Sequence, residues 1–172
     1  MASLYDLTIP FLTNALKAEQ HLLEKAESFA AEKGITVDEL LEARLAPDMW
    51  PLSQQIVISS LHATMCVLKI TGTTPNKVDF GTASLENSKK FLSETLETLS
   101  KVKPEEINGQ EAKIVKAQLG PNYEPEMTVL NYVTGYLQPN VYFHLAALYN
   151  ILRTKGAAVG KKDYISTFIK LA

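Results

Sequence analysis

Leucine and alanine recur at helical spacing through four long segments of this chain, and that periodicity constrains the fold more than any other feature. Leu12, Leu16, Leu23, Ala26 and Ala30 share one face of the first segment, about Ile9 to Lys33, which Gly34 closes. The second runs from about Leu52 to Thr71 and ends at Gly72. The third lies between about Ala83 and Val102, with Leu85, Leu92, Leu96 and Leu99 as its stripe and Pro104 beyond its end. The fourth starts near Thr128, stops at Gly156, and carries Pro139, which is expected to kink it or break it just before Asn140. Four amphipathic helices of this length predict an all-α bundle.

The connections are structured. Thr36-Val-Asp-Glu39 reads as the capping box of a short extra helix. Arg44 to Pro51 is a stiff loop with two prolines. Lys113 to Leu119 and Glu126 to Thr128 flank a Gly120-Pro-Asn122 turn and predict a small β-hairpin before the last long helix. Tyr164, Phe168 and Ile169 in the tail are expected to pack back onto the bundle. With 172 residues, 46% hydrophobic, and no break in composition, residues 1–172 are expected to form one domain.

Charge and cysteine content narrow the function. A net charge of -2 offers no basic surplus for phosphates, so nucleic acid is not the expected partner. The lone Cys66 permits no internal disulfide. Met1 to Asp6 lacks the basic flank and apolar run of a secretory signal. No apolar run reaches the roughly 20 residues of a membrane span. A cytoplasmic location is the expectation.

Glycine-rich phosphate loops, nucleophile elbows and the HExxH motif are absent, so the three histidines carry most of the chemical interest. His21 shares its stripe with Asn14, Lys17, Lys25 and Ser28, opposite the leucines, and is expected in solvent. His144 shares an apolar face with Val133, Tyr136, Asn140, Ala147 and Ile151, so Asn140 and His144 point inward one turn apart. Buried polar groups of this kind need partners, as a packing network or as a site. His62 lies with Gln55, Ser59, Cys66 and Lys69 on one polar stripe of its helix, while Ser53, Ser60, Thr64 and Thr71 form another. Periodicity does not decide which stripe faces inward.

If His62, Asn140 and His144 converge, two imidazoles and an amide oxygen could hold a divalent ion, although the uncharged amide is the poorer ligand. His62 and Cys66, one turn apart, could form a thiol–imidazole pair, but a single helical cysteine is ordinarily a small core residue. Tyr136, Asn140, Ser59 and Cys66 are the candidate ligand-binding residues beside the catalytic candidates His62 and His144. Trp50, Tyr123, Tyr132, Tyr136 and Tyr142 could wall a pocket, but aromatics at helical spacing are more often core or interface.

These residues resemble an uncharacterised family within the DinB/YfiT-like four-helix-bundle metalloenzyme superfamily. The carrying segments are Ser3 to Thr8, Ala43 to Leu52, the helix of His62, Pro139-Asn-Val-Tyr-Phe-His144, Tyr149 to Arg153 and Gly160 to Asp163. The resemblance covers essentially the whole chain. It implies a bundle of two antiparallel helix pairs, often a homodimer, with His62 facing inward. The superfamily's metal site takes one histidine from the second helix and a His-x-x-x-His pair from the last. His62 and His144 match two of these positions, and Asn140 stands at the third. The resemblance therefore implies a zinc, nickel or iron site that is weak or absent. Related activities include thiol-cofactor-dependent transferases, isomerases and hydrolases. The expected function is a small-molecule enzyme with a histidine-lined pocket, with or without a metal. The alternative is a ligand-binding or structural homodimer in which the inward His and Asn groups are a packing network.

Overall fold

The computed structural model describes residues 2–72 and 84–169. Helix α1 spans Leu4–Lys33. It begins before the Ile9 suggested by periodicity because Ser3 and Asp6 form a reciprocal cap, which satisfies amide donors at the helix start. Pro10 sits within it. Gly34 closes it with φ 66°, a left-handed conformation suited to glycine. Short α2, Val37–Leu41, follows, and its Thr36 hydroxyl accepts from the Glu39 amide.

Helix α3 spans Leu52–Thr71, matching the sequence reading, and α4 spans Leu85–Lys101. The expected first residue of that third long helix, Ala83, lies outside the described residues. Helix α5, Pro104–Ile107, leads to β1, Ile114–Lys116, and β2, Glu126–Thr128. The strands pair antiparallel with Val115 opposite Met127, which is the predicted hairpin.

The last long segment departs from expectation. It comprises α6 at Val129–Asn131, a π-helical turn at Tyr132–Leu137, and α7 at Gln138–Thr154. No break occurs at Asn140. Pro139 lacks an amide hydrogen, and the widened turn just upstream absorbs that loss. Gly135 lies in this turn, where an added Cβ would stand 2.8 Å from Asn131 Oδ1. Helix α8, Lys161–Ile165, and a 3-10 turn at Ser166–Phe168 complete the described chain.

Helices α1 and α3 each pack against α4 and α7, so α1 and α3 face one another across the bundle axis. Leu12, Leu16, Leu22 and Leu23 of α1 are fully buried against this axis and its flanks. Tyr164 and Phe168 pack onto the core as expected, whereas Ile169 is exposed, a correction to the sequence reading. Both polar stripes of α3 are buried, because Ser53, Ser60 and Thr64 are covered as well as Gln55, Ser59 and Cys66. No helix of the described residues is long and apolar enough to cross a membrane.

Candidate functional site

The site is built where α3 and α7 meet beneath the two-proline loop. Arg44 Nη1 donates to the Met49 carbonyl, the Met49 amide to Ala46, and the Leu52 amide to Ala43. These bonds fix the loop over the start of α3. Its Trp50 carbonyl accepts 2.8 Å from Gln55 Nε2. That contact turns Gln55 Oε1 toward α7, where it lies 2.7 Å from His144 Nδ1. An amide oxygen only accepts, so His144 Nδ1 carries the proton and Nε2 keeps its lone pair. Gln55 is 1% exposed and His144 6%, so this is a buried, satisfied pair.

Aromatic rings enclose the imidazole. The Trp50 ring stacks on His144 at 6.2 Å between centroids with 17° between planes. Phe143 meets it edge-on at 5.4 Å. Both rings remain more than half exposed, at 53% and 57%, and form an apolar rim.

His62 faces inward and lies 5.9 Å from His144, ring centre to ring centre. Tyr136 approaches its edge at 5.6 Å, stacks on Tyr132, and donates its hydroxyl to the Gln118 carbonyl. The hairpin arm is thereby tied to the pocket wall. Among the described residues, no hydrogen bond is made by either His62 nitrogen or by His144 Nε2.

Burial lowers the His62 pKa to about 4. Burial, and then the neighbouring His62, lower His144 to about 4. Both imidazoles are therefore uncharged at neutral pH.

The other candidates separate. Asn140 is half-buried and donates its Nδ2 to the Tyr136 carbonyl one turn back. Cys66 is fully buried, and burial pushes its thiol pKa up, so the Cys66–His62 pair has no thiolate to use. Ser59 is buried without a hydrogen-bond partner. His21 corrects its solvent-facing reading: it is half-buried, and Nε2 lies 2.8 Å from Asp163, pinning α8 to α1. A separate groove of about 320 Å³ between α1 and α4, near Tyr5, Thr13, Lys17 and Ser100, contains none of the candidate residues.

Residues 4–165 match the family model described as Domain of unknown function (DUF1993). This chain belongs to the DUF1993 family. The fold is also that of a DinB family member protein from Shewanella denitrificans, solved as a crystal structure. The two share 31% identity with a TM-score of 0.86, over 98% of this chain and 95% of that one. No functionally curated protein matches the chain.

The DinB-like relationship raises the question of a metal. Among the described residues of this DUF1993 member, no group of three or more His, Cys, Asp or Glu side chains could hold one. His62 and His144 supply two nitrogens, and Asn140 supplies only a neutral amide whose NH2 is committed to its own helix. A three-histidine set is therefore not met, and these residues do not fit the group that the superfamily implies.

The sequence reading missed two contributors, Gln55 and Glu19, and discounted a third, Trp50. Gln55 stood on the His62 stripe but was not singled out, and Trp50 was weighed as a pocket wall and set aside as a core or interface aromatic. Glu19 was overlooked although it falls within the α1 leucine stripe, seven residues after Leu12 and seven before Ala26.

Proposed function

We propose that this DinB-like protein binds a small, uncharged organic molecule at the His62–His144 pair, and that binding rather than metal-dependent turnover is its primary role. The observation that carries this reading is a pair of neutral imidazoles with unpartnered nitrogens beneath an exposed aromatic rim. A ligand with an apolar or aromatic body would stack on Trp50 and Phe143. A hydroxyl or N–H on that body would donate to His144 Nε2. Tyr136 and Asn140 would border it on the π-turn side.

The low basicity argues for binding. A general base works best with a pKa near the operating pH, and a value of about 4 makes each imidazole a poor proton acceptor at neutrality. The partner of His144 also matters. A carboxylate at Nδ1 would raise the ring's basicity, whereas Gln55 orients the ring without adding charge.

Phenol is a suitable probe, because it combines an aromatic ring with one hydroxyl donor. Titration followed by NMR should shift the resonances of Trp50, His62 and His144. His144→Leu should weaken binding by about tenfold or more, the value of one buried hydrogen bond. Unchanged affinity in both His144→Leu and His62→Leu would overturn the reading.

A further inference from the structure

Glu19 is a carboxyl group in the middle of an otherwise aliphatic helix face. It is 0% exposed, and neither of its oxygens is hydrogen-bonded among the described residues. Burial pushes its pKa well above the usual carboxylate range, toward the uncharged acid. Ser59 stands across the bundle axis, near enough that its hydroxyl, as a hydrogen-bond donor to the carboxyl, opposes that rise. The two groups nevertheless fall short of direct hydrogen-bond geometry, and the hydroxyl is buried with no other partner among the described residues. Ser53 and Ser60 of α3 are likewise buried without a partner among the described residues, whereas threonine hydroxyls in these helices behave differently. Thr8, Thr64 and Thr71 each turn back to the carbonyl four residues earlier. Ser59 leaves that local partner unused.

Two facing polar groups buried without partners are costly, and native interiors ordinarily satisfy such groups with protein or with ordered water. An uncharged carboxylic acid offers one donor and an acceptor, and a serine hydroxyl offers both. Neither asks for an ion. We propose that Glu19 and Ser59 form a polar site at the bundle axis that takes one small uncharged hydrogen-bonding group, a water molecule or an alcohol hydroxyl. Ser59 lies four residues after Gln55 and three before His62 on the inward stripe of α3. The site is therefore one helical turn from the histidine pocket, about 5–6 Å between Cβ atoms. It is a separate site, and its occupancy in ligand-free protein does not depend on what the histidines bind.

The experiment is a high-resolution crystal structure of the ligand-free protein, paired with crystals soaked in methanol. The expected result is density bridging the Glu19 carboxyl and Ser59 Oγ in both. Methanol in the soaked crystals would identify a site that accepts a hydroxyl-bearing molecule, and retained water would identify a resident water. A Glu19 carboxyl bonded directly to Ser59, with nothing between them, would overturn the proposal. Glu19→Gln should keep the bridging group and Glu19→Leu should lose it. Infrared spectroscopy of the wild-type protein gives a second readout needing no Glu19→Leu protein. The carboxylic-acid C=O band, assigned by its loss in Glu19→Gln, should lie at a hydrogen-bonded frequency, and a free-acid frequency would contradict the proposal.

Discussion

Helices α3 and α4 pack against one another, yet they differ in how far their polar residues depend on the bundle interior. Helix α4 turns Leu92 and Leu99 inward and keeps its charged residues outside. Its lysines pair at the surface, as in Lys89–Glu27 at 2.8 Å and the i,i+4 pair Lys101–Glu97. Helix α3 instead buries Gln55, Ser59 and Ser60, and brings the half-buried His62 against the buried His144. Charge on α4 is solvation, and its buried Ser88 turns its hydroxyl back to the Ser84 carbonyl. Polarity on α3 needs partners inside the bundle, and those partners define the candidate site. A segment that mainly packs and one that lines the candidate site are thus distinguished by where their polar groups find partners.

Four perturbations sharpen that contrast. The largest falls on α4: Leu92→Ala should cost about 2–5 kcal/mol through lost burial and a cavity. Denaturant unfolding measures this loss, while phenol binding by the folded protein should be unchanged. Binding lost with Leu92→Ala would break the separation.

The second concerns pH. His62 and His144 have an ordinary pKa of 6.5 and fall to about 4 in the folded state. Between these values the unfolded chain binds more protons, so stability rises with pH across that window and is lost as pH falls through it. The loss approaches roughly 3 kcal/mol per imidazole. Glu19 acts in the opposite sense. Its folded form holds a proton above the ordinary 4.5, so its contribution declines as pH rises past that value. Unfolding curves between pH 4 and 7 for His144→Leu and Glu19→Gln should show these slopes reduced and made steeper, respectively.

The third is Gln55→Leu, which orphans the His144 Nδ1–H and should cost about 1–3 kcal/mol. It should also release Trp50, whose carbonyl holds the Gln55 amide, and reduce stacking seen in Trp fluorescence. The smallest effect is expected for Lys89→Ala, a partly exposed ion pair worth less than about 1 kcal/mol, with no change at the histidines.

Much of this architecture was legible in the chain. The bounds of α3, the stripe of α4 and the hairpin follow from spacing and turn residues. His144 could be assigned inward because its helix has one apolar face. His62 could not, because α3 is covered on both polar stripes, and periodicity distinguishes faces only when one of them meets solvent. The π-helical turn at Tyr132–Leu137 was invisible because Pro139 marks a disturbance without specifying on which side it is absorbed. Gln55 and Glu19 escaped for another reason. Their importance depends on contacts across the bundle, to His144 and Ser59, which spacing within one helix does not report.

The central claim is that His62 and His144 are neutral acceptors at physiological pH, with His144 held in the Nδ1–H form by Gln55. Nitrogen-15 NMR of the imidazole rings during a pH titration tests it directly. The account predicts that His144 shows a protonated Nδ1 and a bare Nε2 at pH 7, and that both rings stay neutral until the pH approaches 4. An Nε2–H tautomer at His144, or protonation of either ring near the ordinary 6.5, would contradict it.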